Sequence, residues 1–225
     1  MKVDKNPDKI QFIFNDISSY YDKMNNLISF GMHYFVKSSA IKMLDIQTDK
    51  QILDICCGTG DFTGIISKSV SGAKVTGLDF SYNMIEKAIQ KFPSNTFIVG
   101  DCTDIPFKNE EFDYVTVGFG MRNVENRTKA IKEVNRVLKF GGKFLHLDFA
   151  GGKNNFAAKI FNFATLLLVK FLGKNAEHYK YLLNSKASYP APDVIFKEFE
   201  KAGFKLISEK KFVFGVINAQ VLEKI

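Results

Sequence analysis

The chain has 225 residues and a net charge of +7, and 46% of its residues are hydrophobic, as in a globular protein that buries its own core. Three cysteines and a polar N-terminal segment without an apolar signal region argue against a secreted, disulfide-stabilised scaffold and predict a cytoplasmic protein. The longest uncharged apolar stretch, residues 160–169, is too short for a membrane span of roughly 20 residues. The positive charge favours an anionic partner, whether a nucleic acid, an acidic membrane surface or a small anion.

The first predicted element is a helical arm in residues 1–48. Apolar residues recur every three or four positions from Ile10 to Leu44, which is the period of an amphipathic helix. Ser29-Phe30-Gly31 interrupts this pattern, so two helices are predicted, one on either side of it. Because the arm precedes the first strand, we expect it to form a lid over the site that the following residues build.

Strands and helices then alternate through residues 49–150, the predicted cofactor-binding core. Apolar runs predict five strands, at residues 51–56, 74–79, 96–99, 112–117 and 143–149. Helices are predicted between them, at residues 63–70, 82–92 and 127–138. Ser81 is the predicted cap of the second helix, and Gly141-Gly142 the predicted end of the third. This alternation predicts a Rossmann-like, doubly wound α/β fold with a parallel sheet.

Residues 151–225 are predicted to complete a single domain with substrate-side helices and two closing strands. An apolar helix is predicted over residues 153–173 and a shorter helix over residues 193–202. The strands 205–213 and 216–222 are joined by so few residues that they must pair antiparallel. The predicted sheet therefore has seven strands, mostly parallel, with an antiparallel last strand.

The stretch QILDICCGTGD, residues 51–61, predicts a ligand-binding loop after the first strand. Gly58 and Gly60 allow the backbone to turn tightly and to approach a ligand closely. The dinucleotide fingerprint requires a third glycine, but Thr63 occupies that position. A ligand without a pyrophosphate is therefore favoured.

Acidic residues stand near the ends of three predicted strands, where a parallel sheet binds its ligands. Asp79 can accept hydrogen bonds from both hydroxyls of a ribose, and Asp101 with the backbone N–H of Cys102 can bind adenine. Asp54 can place negative charge beside the amino or sulfonium group of a cationic ligand. Asp79 and Asp101 can also serve only to cap a helix or a turn. Three carboxylates repel phosphates, so together they favour S-adenosylmethionine over NAD.

The segment FGMRNV, residues 119–124, follows the fourth strand at the same edge of the sheet. The donors of Arg122 and Asn123 can bind a phenolate or carbonyl oxygen of an acceptor, although Arg122 can also pair with a surface acid. No metal site is predicted, because the three histidines are scattered without carboxylates at ligand spacing. The lysines are not interleaved with aromatic residues, which argues against nucleic-acid binding.

Several motifs, spread over nearly the whole chain, are shared with a known enzyme family: YYDKMNNLISFGMHYFVK, LDICCGTGD, GDCTDIPF, FDYVTVGFGMRNV and RVLKFGGKFLHLDF. The chain resembles the class I S-adenosylmethionine-dependent methyltransferases, and more narrowly the demethylmenaquinone/ubiquinone C-methyltransferase family. The resemblance implies cofactor contacts and a substrate rim. The implied cofactor residues are Thr59, Asp79, Asp101, Cys102 and Gly118, and the implied rim residues are Arg122 and Asn123.

The implied reaction is C-methylation of a prenylated quinol, most directly of demethylmenaquinol to menaquinol. Loss of the proton from a ring hydroxyl makes the neighbouring carbon more nucleophilic. The candidate catalytic residues are Arg122, Asn123 and Tyr21, and either Tyr21 or a polarised water is the candidate base. The arm and the 153–173 helix are expected to line an apolar route for the prenyl tail. They are also expected to rest on an anionic membrane surface, or else to pack in a homodimer.

Three alternatives stay open at this point. The first is a methyltransferase that acts on another small molecule. The second is an RNA methyltransferase or a non-catalytic RNA-binding protein, for which the net charge is the argument. The third is an NAD-dependent oxidoreductase.

Overall fold

The computed structural model describes residues 4–151 and 176–225. Its helices are α1 (Pro7–Ile17), α2 (Tyr21–Ser29), α3 (Met32–Lys42), α4 (Asp61–Ser69), α5 (Tyr82–Lys91), α6 (Arg127–Val137), α7 (Ala176–Ala187) and α8 (Pro192–Lys201). Its strands are β1 (Gln51–Ile55), β2 (Lys74–Asp79), β3 (Thr96–Val99), β4 (Phe112–Gly118), β5 (Leu138–Phe149), β6 (Phe204–Phe212) and β7 (Ile217–Lys224). Short 3₁₀ turns occupy Met121–Asn123 and Val213–Gly215.

The seven strands form one sheet in the order β3-β2-β1-β4-β5-β7-β6. Strands β1 to β5 pair in parallel, whereas β7 lies antiparallel between β5 and β6. The predicted Rossmann-like sheet with an antiparallel last strand is therefore confirmed. The strand order reverses between β1 and β4, so the loops after these strands diverge and leave a crevice at the carboxyl edge.

Alternating side chains of the central strands form two cores, one on each face of the sheet. Leu53 and Phe144 belong to the core that α6 and α8 cover. Ile52 and Leu145, one position away, belong to the core that α3 and α4 cover. Both faces of each strand are thus buried, which explains why the strands read as continuous apolar runs rather than as alternating ones.

The arm has three helices rather than the two that were predicted. The additional break lies between α1 and α2, where the Ser18 hydroxyl bonds back to the carbonyl of Asn15 at 2.8 Å and competes with the helical pattern. The predicted break lies where expected, with Phe30 at φ +49° and Gly31 at φ +74° between α2 and α3.

The prediction that Gly141-Gly142 ends a helix was wrong. Helix α6 ends at Val137, and β5 begins at the next residue. The two glycines lie in an irregular part of β5, where the pairing with β4 shifts, and Gly141 has a φ of +71° that glycine adopts without strain.

Helix α7 was not predicted from the pattern, because its sequence is polar and lacks a strong apolar period. Ser81 does cap α5, since its hydroxyl accepts a hydrogen bond from the N–H of Met84 at 3.2 Å. The predicted helix over residues 153–173 lies outside the described residues.

Candidate active site

A cavity of about 620 Å³ opens at the carboxyl edge of the sheet, beneath the arm. Its wall brings together most of the predicted site residues, namely Tyr21, Gly58, Thr59, Asp79, Asp101, Cys102, Gly118, Arg122 and Asn123. We call the part formed by Gly58, Asp79, Asp101 and Cys102 the cofactor end. The part formed by Arg122, Asn123, Phe149 and Lys186 is the acceptor end. Asp54 and Gly60 do not line the cavity.

The loop after β1 needs its glycines for geometric reasons. Gly58 has φ +56° and Gly60 φ +81°, which other residues rarely adopt. A Cβ on Gly60 would lie 2.9 Å from the ring of Phe97, so any side chain there would push this ring out of place. The N–H of Gly58 donates to Asp79 Oδ2 at 2.8 Å, which couples the loop to the end of β2.

Asp79 is held ready at the cofactor end by backbone donors. Its Oδ1 accepts from the N–H of Ser81 at 2.9 Å, and its Oδ2 accepts from Gly58. Burial raises the pKa of Asp79 to about 6 despite these hydrogen bonds. Each carboxylate oxygen has a second lone pair, so the predicted contact with ribose hydroxyls is compatible with the geometry.

Asp54, the third predicted acid, does not line the cavity. It is 1% exposed, and its carboxylate accepts hydrogen bonds from the hydroxyls of Thr116 and Thr63, both at 2.8 Å. Burial raises its pKa to about 7. Asp54 lies beneath the loop and fixes β1, β4 and α4 to one another, and its compensation of a ligand charge stays a prediction. The threonine that replaces the third glycine is one of its partners.

Asp101 and Cys102 line the cavity side by side after β3. The Asp101 carboxylate accepts from the N–H and the hydroxyl of Thr103, both at 2.8 Å, which fixes its orientation. Their predicted contacts with adenine stay predictions that this placement permits.

A charge network that the sequence interpretation missed ties the arm to the loop after β1. Asp61, the first residue of α4, lies 2.5 Å from Nζ of both Lys37 on α3 and Lys91 on α5. Lys91 also lies 2.7 Å from Asp22 on α2, and Asp22 accepts a hydrogen bond from the Thr59 hydroxyl at 2.6 Å. In the sequence, only the position of Asp61 at the start of a helix hints at this network. Its lysine partners are 24 and 30 residues away, so local patterns do not reveal them.

The electrostatics of Asp61 show how strongly this network is held. Burial opposes its ionisation, but Lys37 and Lys91 outweigh burial and lower its pKa to about 2. His33 lies 3.9 Å from the same carboxylate, and burial followed by Lys37 lowers the pKa of His33 to about 4. His33 is therefore neutral at pH 7, and the two lysines carry the positive charge.

The acceptor end places Arg122 against a buried acid rather than the surface acid that was considered. Arg122 Nη1 donates to Asp148 Oδ1 at 3.0 Å and also to the carbonyl of Phe119. Its Nε is buried and has no hydrogen-bond partner within the described residues. Asn123 Oδ1 accepts from the hydroxyl of Tyr181 on α7 at 3.2 Å. Both predicted rim residues thus reach the cavity with part of their donor capacity unused.

Tyr21 and Gly118 also line the cavity. Tyr21 begins α2 and packs edge-on against Phe14, with ring centres 6.4 Å apart. Gly118 ends β4, where a Cβ would meet the ring of Phe62 at 3.0 Å. In the described part of the chain, no cluster of three potential metal ligands occurs.

The cofactor end fits S-adenosylmethionine on the chemistry of its donors. Asp79 is buried without an ion pair among the described residues, and burial raises its pKa to about 6. Its carboxylate and that of Asp101 would repel a phosphate, whereas ribose hydroxyls and an amino group can donate hydrogen bonds to them. Gly58 leaves open space above the loop for a close backbone approach, since an added Cβ would meet nothing within 4 Å.

This sheet order, with an acid-lined cavity at its switch point, defines a class I S-adenosylmethionine-dependent methyltransferase. Similar solved structures belong to this class. A SAM-dependent methyltransferase of Thermotoga maritima superposes with a TM-score of 0.70 at 18% identity, covering 96% of this chain and all of the other. Phosphoethanolamine N-methyltransferase 2 of Haemonchus contortus, in complex with S-adenosylmethionine, gives a TM-score of 0.64 at 17% identity, covering 84% and 52%. At these identities the likeness shows the fold alone.

Within that class, the chain belongs to the ubiE/COQ5 methyltransferase family, whose profile matches residues 2–224. Demethylmenaquinone methyltransferase of Staphylococcus haemolyticus is 38% identical over 217 residues, which cover 93% of this chain and 91% of the relative. The enzyme of the same name from Staphylococcus aureus is 37% identical, covering 94% and 91%. The chain is therefore a methyltransferase that uses S-adenosylmethionine, and the predicted enzyme class and cofactor are confirmed.

Proposed function

We propose that this enzyme C-methylates a prenylated naphthoquinol, converting demethylmenaquinol to menaquinol. Two relatives with this name match nearly their whole length, so the acceptor site is included in the similarity. The observation that carries the proposal is the acceptor end, where the guanidinium of Arg122, oriented by Asp148, lines a cavity of about 620 Å³. A quinol that loses a proton supplies the oxyanion that such a donor binds.

The bound cofactor supplies an electrophilic methyl group, and the protein supplies position and electrostatics. Arg122 and Asn123 hold the ring oxygen and stabilise its negative charge as the neighbouring carbon becomes nucleophilic. The amide oxygen of Asn123 accepts from Tyr181, which leaves the amide nitrogen to donate to the substrate. Arg122 is oriented by Asp148, which fixes where the oxyanion binds. The arm excludes water from the reacting groups.

The proposal also assigns a role to each of three segments of the single domain. Residues 1–48 act as a lid, residues 49–150 bind the cofactor, and residues 151–225 complete the substrate side and the sheet. Asp79, Asp101, Cys102, Thr59, Gly58 and Gly118 are the proposed cofactor-binding residues. Asp54 and Gly60 support this site from beneath, and Tyr21 is proposed to close the acceptor from the arm.

The test of this function is a methyl-transfer assay against two acceptors under reducing conditions. We expect a short-chain demethylated naphthoquinol to be methylated at least tenfold more efficiently, in kcat/KM, than the corresponding benzoquinol. Labelled methyl groups in the extracted product measure the transfer. Transfer to the benzoquinol alone would reverse the substrate assignment. Transfer to neither quinol would overturn it.

The mouth of the cavity has exposed aromatic side chains that could contact a membrane, where a prenylated substrate would be dissolved. Phe30 is 92% exposed and Phe214 is 98% exposed, and both lie in positive-φ turns at the cavity rim. Lys23 and Lys42 of the arm are exposed, as are Lys210 and Lys211, which precede the second turn. Each such lysine near an anionic membrane contributes about 1 kcal/mol of attraction.

We therefore propose that both aromatic turns contact an anionic membrane surface. Within the described ranges, 4–151 and 176–225, no helix has both the length and the apolar character to cross a bilayer. A homodimer stays a separate prediction, which sedimentation velocity tests.

The combined variant F30S/F214S should lose most of its association with vesicles that contain phosphatidylglycerol, because two exposed rings no longer enter the interface. Co-flotation of the protein with vesicles, with and without the anionic lipid, measures this. F12S is the matched control, since Phe12 is 64% exposed on α1 but does not line the cavity. Equal flotation of the double variant and the unmodified protein would disprove the contact.

A further inference from the structure

Lys186 lies beside Arg122 in the cavity wall, and the reaction as described so far assigns it no role. It belongs to the last turn of α7 and is only 8% exposed. Its Nζ lies 4.6 Å from the centre of the Phe149 ring, and the guanidinium carbon of Arg122 lies 5.2 Å from the same ring. Two cationic side chains therefore flank one aromatic ring at the acceptor end.

The charges around Lys186 favour a negatively charged ligand. Asp148 is engaged by Arg122 at 3.0 Å. Lys5, from the segment before α1, also lines the cavity, and burial, followed by the charge of Arg127, lowers its pKa. Glu125 lies at the solvent-exposed rim. Among the described residues, the buried part of the acceptor end thus has more positive than negative groups, whereas the cofactor end has carboxylates.

Helix α7 contributes to this end of the cavity at two points. Tyr181 orients Asn123, and Lys186 follows five positions later on the same helix. Leu182 and Leu183, between them, also line the cavity. The helix that the sequence pattern failed to predict therefore supplies both an orienting group and a cation to the acceptor.

We propose that Lys186 is a catalytic residue that removes the proton from the ring hydroxyl of the acceptor. This inference rests on the proposed function, because it requires a phenolic acceptor. The position suits the role, since Lys186 and Arg122 line the same cavity beside the Phe149 ring, so an acceptor oxygen that binds Arg122 there lies near Lys186. Arg122 cannot remove this proton itself, because a guanidinium stays protonated.

The environment of Lys186 prepares it for this role. Burial, followed by the charge of Arg122, lowers its pKa to about 8. An appreciable fraction of Lys186 is therefore neutral near pH 8, whereas an exposed lysine is almost fully protonated there. Arg122 at the same time favours the ionised phenol, which brings the two proton affinities closer.

The step balances as follows. The neutral amine of Lys186 takes the hydroxyl proton, and the phenolate electrons form the new bond from ring carbon to methyl. The bond from sulfur to methyl breaks, and its electron pair leaves the sulfur neutral. The methylated carbon then loses its own hydrogen as a proton to solvent, and Lys186 returns its proton to the ring oxygen. One proton is released in total, and no redox partner is needed.

The test compares K186M, which removes the amine, with K186R, which keeps the positive charge but cannot accept a proton. In the unmodified enzyme, kcat for the naphthoquinol should rise with pH and level off above about 8, as Lys186 becomes neutral. Both variants should lose this inflection and fall in kcat by about 10²-fold or more. K180M is the matched control on α7, because Lys180 is exposed, pairs with Glu177 and does not line the cavity.

A second readout needs neither cofactor nor turnover. The absorbance of bound 1-naphthol reports its ionisation, which should occur at least one pH unit lower in the unmodified protein and in K186R than in K186M. Identical titrations in K186M and the unmodified protein would overturn the proposal, as would failure of 1-naphthol to bind. Retention of normal kcat and its pH profile in K186R would also overturn it. If no quinol is methylated, the proposed function fails, while the naphthol titration still decides whether Lys186 faces a phenol.

Discussion

Replacing Arg122 with alanine should lower kcat by about 10²- to 10³-fold while changing the dissociation constant for S-adenosylmethionine by less than about threefold. Arg122 lines the acceptor end, and in the proposed reaction its donors bind the developing oxyanion rather than the cofactor. Single-turnover methyl transfer measures the rate, and calorimetric titration measures cofactor binding. R127A is the control, because Arg127 is also paired, with Glu198 at 2.5 Å, but does not line the main cavity.

Alanine at this position also leaves Asp148 buried without its partner, which destabilises the protein independently of catalysis. The double variant R122A/D148N removes that stranded charge. If the role of Arg122 is to bind the oxyanion, the double variant stays slow although its stability recovers. A normal kcat together with a lost cofactor affinity would show instead that Arg122 serves the cofactor.

Replacing Asp61 with alanine should destabilise the protein by roughly 3 kcal/mol, because Lys37 loses its buried counter-charge. Lys91 still pairs with Asp22 in this variant, so the loss of its contact with Asp61 costs less stability. The free energy of unfolding is measured in denaturant, and hydrogen exchange shows whether α2 and α3 open first. D4A is the control, since Asp4 pairs with Lys9 at the surface of the same arm and such pairs contribute about 0–1 kcal/mol.

The difference in unfolding free energy between the unmodified protein and D61A should depend on pH, because the pKa of Asp61 is lowered to about 2 in the folded protein. The stabilisation is complete above the unfolded value of about 4, and it is lost as the pH falls from there towards 2. The stability of D61A should therefore approach that of the unmodified protein in this range. A constant difference down to pH 2 would mean that ion pairing does not stabilise the arm.

The sequence predicted much of the fold, because the signals for it are local. Apolar runs fixed the central strands, and β2 and β3 were predicted to the residue. Two closing strands with a short link had to be antiparallel. The failures have local causes too: competition from the Ser18 hydroxyl divided the arm, and a Gly141 turn inside β5 looked like a helix end.

The site was only partly predictable, because burial and pairing partners are not local. Asp54 was recognised as a special acid, but only the packed structure shows that the two threonines enclose it beneath the loop. Asp61 stands in the same motif, yet its role depends on lysines from α3 and α5.

The sequence by itself therefore determined the class of enzyme and the methyl donor, through motifs of neighbouring residues that are shared with the family. It also predicted, from strand periodicity, the edge of the sheet where the donor is proposed to bind. Only the tertiary structure decided what surrounds the acceptor, because Arg122, Phe149 and Lys186 come from three distant segments. Their electrostatic effect depends on burial and separation in space, and neither quantity is determined by spacing along the chain.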